Sequence, residues 1–187
     1  MPTLNRGDPV VGFPAVAAPD ARALILGTAP SVISLQAGEY YAHPRNAFWR
    51  IMEALFAQST GLDYAARKGG LLQAKVALWD VLRSAERPGS LDSSIVAKTV
   101  VVNDFADFFE QHPGIRAVFF NGGAARTLWD RHVWATLPVA AQLSCVTLPS
   151  TSPANAKLTL ADKVEAWRVV VNAVGNDGLF LAQCRRL

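Results

Sequence analysis

Between Tyr40 and Trp49 the sequence gathers aromatic rings, an imidazole, a guanidinium and an amide in one short stretch. Rings of this kind stack on a flat partner, and the polar groups can hydrogen-bond its edge or hold a water molecule. The stretch follows the apolar run 23–26 and the turn 27–31, so we expect it beyond the carboxyl end of a buried strand. Open α/β sheets bind their ligands at that edge. The stretch therefore predicts a pocket for a planar polar ligand.

A second loop of chemical interest lies far downstream at 148–155, where two prolines flank three hydroxyl side chains. Two motifs precede it in the chain: Gly27-Thr28-Ala29-Pro30-Ser31 and Tyr41-Ala42-His43-Pro44-Arg45-Asn46-Ala47-Phe48-Trp49. In this order the three segments resemble the uracil-DNA glycosylase superfamily, and within it the hypoxanthine-DNA (deoxyinosine) glycosylase branch. Segments 78–82, 89–92 and 120–122 fit the same pattern, so the resemblance covers about 12–167.

The resemblance implies an α/β fold, a three-layer α/β/α sandwich around a four-stranded parallel sheet. It also implies a monofunctional DNA glycosylase, an N-glycosyl hydrolase that removes deaminated bases, chiefly hypoxanthine, in base excision repair. The partner would be DNA containing such bases, with no cofactor. An enzyme of this kind takes the base out of the stack and holds it in a pocket while the bond to the sugar is hydrolysed.

Two residues of the first loop carry the central roles that the resemblance implies. Tyr41 matches the aromatic residue that stacks on the extruded base, and Asn46 matches the asparagine that orients the attacking water. Many relatives have a polar group where this chain has Ala29. An amide is no strong base, so catalysis would depend on stabilising an oxocarbenium-like sugar and the departing base. The alternative for Asn46 is a cap for a helix that begins near Ala47, and the two roles are compatible.

Further candidates for binding the base surround these two. They are Gly27, Thr28, Ala29, His43, Phe48 and Asp80. Asp80 ends the second predicted strand, roughly where uracil-specific relatives keep an asparagine that reads the base edge. Its alternative is a strand-end cap or a partner for Arg83. His43 could polarise the base or only hydrogen-bond within its loop, and Phe48 could belong to the core.

The second loop is expected to enter the minor groove, replace the extruded base and contact phosphates. The predicted DNA-binding residues are Arg45, Pro149, Ser150, Thr151, Ser152, Pro153 and Lys157, with Lys163 as a further cation. Leu148 stands where many relatives carry a histidine or asparagine that assists the leaving base. The alternatives are an ordinary proline-rich turn and solvated surface charges.

Composition limits the class of protein. The 187 residues fit one domain, with 1–20 as an extended arm and 21–187 as a single glycosylase-like domain. No apolar run of roughly eighteen residues and no signal segment is visible, so we expect a cytoplasmic protein without membrane contact. Cys145 and Cys184 lack partners at metal-ligand spacing, so neither a metal site nor a disulfide framework is predicted. A net charge of +3 and a pI near 9.1 agree with a nucleic-acid partner, and no obligatory protein partner is inferred.

Short apolar runs alternate with helical patterns along the chain. Buried parallel strands are predicted at 23–26, 76–79, 117–120 and 143–148. Helices are predicted at 48–56, at 104–111 with Asn103 as its cap, from Gly123 toward Arg131, and after Thr159, where Asp162 completes a capping pair. The face of that last helix should continue through Trp167 to Val174.

Three other functions compete with the leading one. The nearest is a mismatch-specific uracil/thymine-DNA glycosylase, and the next is a non-catalytic nucleic-acid-binding relative. A small-molecule hydrolase on the same sheet is disfavoured, because the sequence has no Gly-x-Ser-x-Gly elbow and no phosphate-binding Gly-Lys-Ser loop.

Overall fold

The computed structural model describes residues 9–175. The strands of this part are β1 Pro9–Val11, β2 Ala23–Gly27, β3 Val76–Asp80, β4 Leu82–Glu86, β5 Val101–Val102, β6 Ala117–Asn121 and β7 Ser144–Leu148. The helices are α1 Val32–Ala37, α2 Phe48–Leu55, α3 Tyr64–Gln73, α4 Phe105–Gln111, α5 Gly123–His132, α6 Leu160–Trp167 and α7 Val169–Gly175. None of these helices is both long and apolar enough to cross a membrane.

A four-stranded parallel sheet in the order β3-β2-β6-β7 forms the middle layer. Every residue of β2 is buried, as an apolar strand covered on both faces should be. One face packs against a cluster that includes Phe105 and Trp129 from α4 and α5. The other packs against Phe48 and Trp167 from α2 and α6. The predicted three-layer sandwich and its four strands are confirmed, with β7 beginning one residue later than expected.

A second sheet was not predicted. It is antiparallel, with the order β1-β4-β5. Strand β1 lies within the segment predicted as an extended arm, and its residues pair with β4, while Val16 further along bridges Leu78 at the edge of the central sheet. The described part of the arm, residues 9–20, is therefore paired with both sheets. Residues 1–8 of the arm and Cys184 lie outside the described residues.

Two predictions about helix ends need correction. The side chain that caps α4 is Asp104, which accepts from the Asp107 N–H, and not Asn103. Asn103 instead donates its amide to the Asp80 carbonyl at 2.8 Å, which ties the start of α4 to the end of β3. The last predicted helix is divided at Arg168 into α6 and α7. Its capping pair of Thr159 and Asp162 is present as predicted.

Candidate active site

The carboxyl ends of β2 and β3 form the floor of a cavity of about 110 Å³. Gly27 and Asp80 are the last residues of these strands and are neighbours in register. A side chain at Gly27 would overlap Asp80 Oδ1 and come within 2.9 Å of the Tyr41 hydroxyl. Only glycine therefore allows the Asp80 and Tyr41 side chains to converge over this strand end.

Asp80 is 3% exposed, and its Oδ2 is buried without a hydrogen-bond partner. Burial raises the pKa of this carboxyl to about 7, Arg87 opposes the rise, and Asp92 adds to it. At neutral pH the carboxyl is thus poised between its two protonation states. An unpaired buried oxygen at the floor of a cavity is a group that a ligand can satisfy.

Tyr41 lies over the same floor in a left-handed backbone conformation, with φ at 55°. Its ring stacks on Phe48 with 4.2 Å between centroids and 25° between planes. The hydroxyl is buried; burial followed by the charge of Asp80 raises its pKa, and the nearby Asn121 amide opposes the rise. Phe48 is fully buried and is absent from the cavity lining, so it supports Tyr41 from behind. Phe48 therefore lies in the core, as its alternative assignment expected. Tyr41 lines the cavity, as its predicted role requires.

Asn46 lines the cavity from the loop before α2. Its Oδ1 accepts from the Phe48 N–H at 3.0 Å, which fixes the side chain at the start of the helix. That bond uses one lone pair of the oxygen and leaves the amide nitrogen as a donor. The N-cap position of α2 is Ala47, so Asn46 binds the first N–H of the helix from one position earlier. The same bond keeps the amide at the cavity, where it can hold a water.

His43 and Arg45 lie away from the cavity lining. The His43 Nδ1 accepts from the Arg45 N–H at 3.1 Å, and the His43 carbonyl accepts from the Asn46 N–H at 2.8 Å. These bonds build the tight turn that delivers Asn46 to the pocket. The structure thus favours the alternative in which His43 acts within its own loop. Arg45 is exposed at the tip of that turn.

The second motif loop is joined to β6 and to the first motif loop. Asn121, at the end of β6, donates its amide to the Thr151 hydroxyl and accepts from the Thr151 N–H, each at 2.8 Å. The Thr151 carbonyl accepts from the Ala47 N–H at 3.0 Å. Thr151 is only 1% exposed, so its polar groups serve the fold of the loop. Ser150 packs against Gly122, where φ is 99° and a side chain would approach to 2.9 Å.

Helix α6 fixes the far side of this loop. The Trp167 indole donates to the Pro149 carbonyl at 3.0 Å, and the Lys163 ammonium donates to the Asn155 carbonyl at 2.8 Å. Lys163 is 5% exposed, so it is not a solvated surface charge, and its bond to Asn155 anchors the loop. Ser152 and Pro153 are half-buried, and Lys157 is exposed.

Arg87 and Asp92, for which no role was predicted, also line the cavity. Arg87 follows β4 and has 2% of its side chain exposed. It donates to the Pro30 carbonyl, and its Nη1 lies 3.4 Å from the Ala29 carbonyl and 3.5 Å from Asp92 Oδ1. Asp92 in turn accepts from the Thr28 hydroxyl at 2.6 Å. Segment 89–92 fits the family pattern, but that fit alone predicts no role for Asp92.

The family model of the uracil DNA glycosylase superfamily matches residues 13–171, and the chain belongs to this superfamily. The hypoxanthine DNA glycosylase of Methanosarcina barkeri is 34% identical over 112 residues, which are 59% of this chain and 70% of that protein. The hypoxanthine DNA glycosylase of Methanosarcina acetivorans is 36% identical over 115 residues, which are 61% of this chain and 72% of that protein. The resemblance predicted from the motifs is confirmed.

A solved structure shows a similar fold. It is a solution NMR structure of a candidate uracil DNA glycosylase from Methanosarcina acetivorans, with a TM-score of 0.75 and 29% sequence identity. The similarity covers 90% of this chain and 100% of that chain. The sandwich described above is therefore the fold of the superfamily.

Proposed function

We propose that the protein is a monofunctional DNA glycosylase that hydrolyses the N-glycosidic bond of deaminated bases in DNA, chiefly hypoxanthine. The observation that carries this proposal is the meeting of Tyr41, Asn46, Asp80 and Ser150–Ser152 in one cavity, although they come from separate segments of the chain. The names of the two Methanosarcina relatives support the choice of base. The cytoplasmic location expected from the sequence is part of this proposal.

The base would lie on the ring of Tyr41 with its edge directed at the strand ends. Hypoxanthine presents an N1–H donor beside its O6 acceptor. The unpaired Oδ2 of Asp80 is suited to accept from N1–H, and a backbone amide of Thr28 or Ala29 would donate to O6. Adenine has an unprotonated N1 that would oppose a carboxylate. Leaving such buried acceptors unpaired costs roughly 1 to 3 kcal/mol, which rejects the normal base.

Asn46 would hold the attacking water near the sugar carbon C1′. Its oxygen is already fixed by the Phe48 N–H, so the amide is preorganised before the substrate arrives. Leu148 is 4% exposed and apolar, and it offers no proton to the leaving base. Because the Asn46 amide is no strong base, bond cleavage would run ahead of water attack, and the bond electrons would leave with the base as an anion, with an oxocarbenium-like sugar as the transient species.

The DNA backbone would lie across the loop 149–153 and the turn at Arg45. Ser150 and Ser152 are partly accessible there, and Arg45 and Lys157 are exposed cations suited to phosphate. We assign Thr151 the task of positioning this loop, because its hydroxyl and N–H are occupied by Asn121. The substrate, DNA that contains a deaminated base, is the partner that this arrangement requires.

Uracil is the closest competing base, since its N3–H beside a carbonyl offers the same donor to Asp80. Purified protein should be incubated with duplexes that carry one inosine, uracil, xanthine or mismatched thymine. The proposal expects the fastest excision from the inosine duplex. Preferential release of uracil or thymine would establish the mismatch-specific alternative, and binding to DNA without any release would identify a non-catalytic relative.

A further inference from the structure

Four consecutive carbonyls of the turn 27–31 accept hydrogen bonds, the first two from backbone N–H groups and the next two from a side chain. The Gly27 carbonyl accepts from the Val81 N–H at 2.9 Å. The Thr28 carbonyl accepts from the Leu82 N–H at 3.0 Å. Both donors belong to fully buried residues that do not line the cavity, so these two carbonyls face the core beneath it.

The N–H groups of the same two peptide units are those of Thr28 and Ala29. The C=O and N–H of a trans peptide point in opposite directions, and none of the described peptide bonds is cis. Because the two carbonyls face the core, the Thr28 and Ala29 N–H groups face the cavity that these residues line. The turn therefore directs two backbone donors to the place proposed for O6 of hypoxanthine.

Arg87 binds the other two carbonyls of the turn. Its guanidinium donates to the Pro30 carbonyl, and its Nη1 lies 3.4 Å from the Ala29 carbonyl. Only 2% of this side chain is exposed, and a buried guanidinium is retained where several groups compensate its charge. The peptide units on either side of Ala29 are thus bound by different donors, which fixes the direction of its N–H.

Asp92 joins the side chain of Thr28 to Arg87. Its Oδ1 accepts from the Thr28 hydroxyl at 2.6 Å and lies 3.5 Å from Arg87 Nη1. A further bond lies just beyond the turn, where Ser90 Oγ accepts from the Val32 N–H at 3.1 Å. Residues of one short segment, 87–92, therefore bind the turn along its whole length.

We propose that Arg87 and Asp92 are positioning residues, which hold the turn so that its N–H groups bind O6 of hypoxanthine as the base departs. This inference rests on the proposed function. The bond electrons leave with the base, and conjugation spreads part of that charge to O6. Donors that are fixed in advance at an atom where charge develops stabilise the transition state more than the ground state. Leu148 supplies no proton to the leaving base, so these amides take the larger share of its stabilisation.

Loss of Arg87 would also loosen the cavity wall, so slower excision alone would not separate positioning from general structure. The separating measurement compares hypoxanthine with 6-thiohypoxanthine, which keeps N1–H and replaces O6 by sulfur, a weak acceptor. Single-turnover excision from matched duplexes gives an oxygen-to-sulfur rate ratio for each protein. The variants are Arg87→Met, Arg87→Lys and Asp92→Ala, with Arg83→Gln on the exposed side of β4 as the control.

In Arg87→Met the ratio should fall roughly tenfold below that of wild type, because excision of hypoxanthine slows while excision of the sulfur base hardly changes. Arg87→Lys should give an intermediate ratio, since an ammonium lacks the planar fork that binds two carbonyls at once. Asp92→Ala should lower the ratio by a smaller factor than Arg87→Met, because Arg87 still holds its two carbonyls. Arg83→Gln should keep the wild-type ratio.

A ratio equal to that of wild type in Arg87→Met and Asp92→Ala would overturn the proposal even if both rates fell, and would leave Arg87 a structural residue. An equal fall in Arg83→Gln would overturn it as well, since that arginine lies outside the cavity lining. Arg87→Lys and Asp92→Ala carry the test if Arg87→Met does not fold.

Release of no base by wild type would refute the proposed function, and the affinities of the free bases would then decide the role of Arg87. A preference of wild type for free hypoxanthine over free 6-thiohypoxanthine that is lost in Arg87→Met would support the positioning role. An equal preference in both proteins would overturn it.

Discussion

Asn121 and Thr151 are joined by two hydrogen bonds of 2.8 Å that run in opposite directions. The pair connects the end of a central strand to the loop that would grip DNA, and Thr151 connects that loop onward to Ala47 beside the proposed catalytic amide. Neither residue needs to touch the substrate to matter. Their pairing fixes the distance between the two motif loops. The extruded base would have to fit within that distance.

Replacing Asn121 with alanine should lower the free energy of unfolding by about 1 to 3 kcal/mol, because the buried Thr151 N–H loses its acceptor. Excision should fall more on duplex DNA than on a single strand, since a loop that helps unstack the base matters less when the base is already unpaired. Denaturant unfolding and single-turnover rates on both substrates measure these effects. Thr151→Ser, which keeps the hydroxyl, is the control, and equal losses on duplex and single strand would count against the loop's role in base extrusion.

Asp80→Asn should lower the ratio of inosine to uracil excision. An asparagine can accept from a ring N–H and also donate to the adjacent carbonyl, which is the pattern that uracil presents. The ratio is obtained from parallel single-turnover assays on matched duplexes. If both activities fall together, or neither changes, then Asp80 is structural and base choice lies in Tyr41 and the backbone around Gly27.

The same substitution should stabilise the protein at high pH. The folded-state pKa of Asp80, about 7, lies above the 3.8 of an unperturbed aspartate, so the folded state holds a proton that the unfolded chain releases. The stability from that proton is full below about pH 4 and is lost as the pH rises through about 7. Relative to wild type, Asp80→Asn should gain up to about 4 kcal/mol of unfolding free energy over this window. The free energy of unfolding is measured by denaturant melts at several pH values, with the exposed Glu110→Gln as the control. A difference between Asp80→Asn and wild type that does not change with pH would contradict a buried unpaired carboxyl at position 80.

Cleavage should be hydrolytic and insensitive to chelator. None of the lysines in residues 9–175 lines the cavity, so the described site offers no amine to attack the sugar. Borohydride added during turnover should therefore trap no covalent adduct with DNA, and EDTA should leave the rate unchanged. A trapped adduct would reveal a Schiff-base lyase.

The central sheet was predictable because its strands are short, continuous apolar runs, and such runs are typical of strands buried on both faces. The second sheet was not, because β4 mixes Leu82 and Ala85 with Arg83 and Glu86, and β1 and β5 are only three and two residues long. The cap of α4 was misassigned by one position, since asparagine and aspartate cap about equally well and only the tertiary contact of Asn103 with Asp80 decides between them.

For the site, residue types and order led to Tyr41, Asn46 and Asp80, all of which line the cavity. Arg87 was missed because an arginine after an unrecognised strand is usually a surface charge, and its burial depends on tertiary contacts with the turn 29–30 and with Asp92. Thr151 was assigned to DNA because a hydroxyl suits phosphate. The same hydroxyl suits the Asn121 amide, and no sequence pattern shows which partner it takes.

The most direct test of the account is single-turnover excision of hypoxanthine from an inosine duplex by Asn46→Ala. Removing one preorganised polar group should slow excision by roughly a hundredfold or more, with DNA binding nearly unchanged. Asn46→Asp keeps the acceptor for the Phe48 N–H and removes the amide donor, so it tests whether that donor is needed to hold the water. Excision by Asn46→Ala within about threefold of wild type would contradict the catalytic role and leave Asn46 only the acceptor for the first N–H of α2.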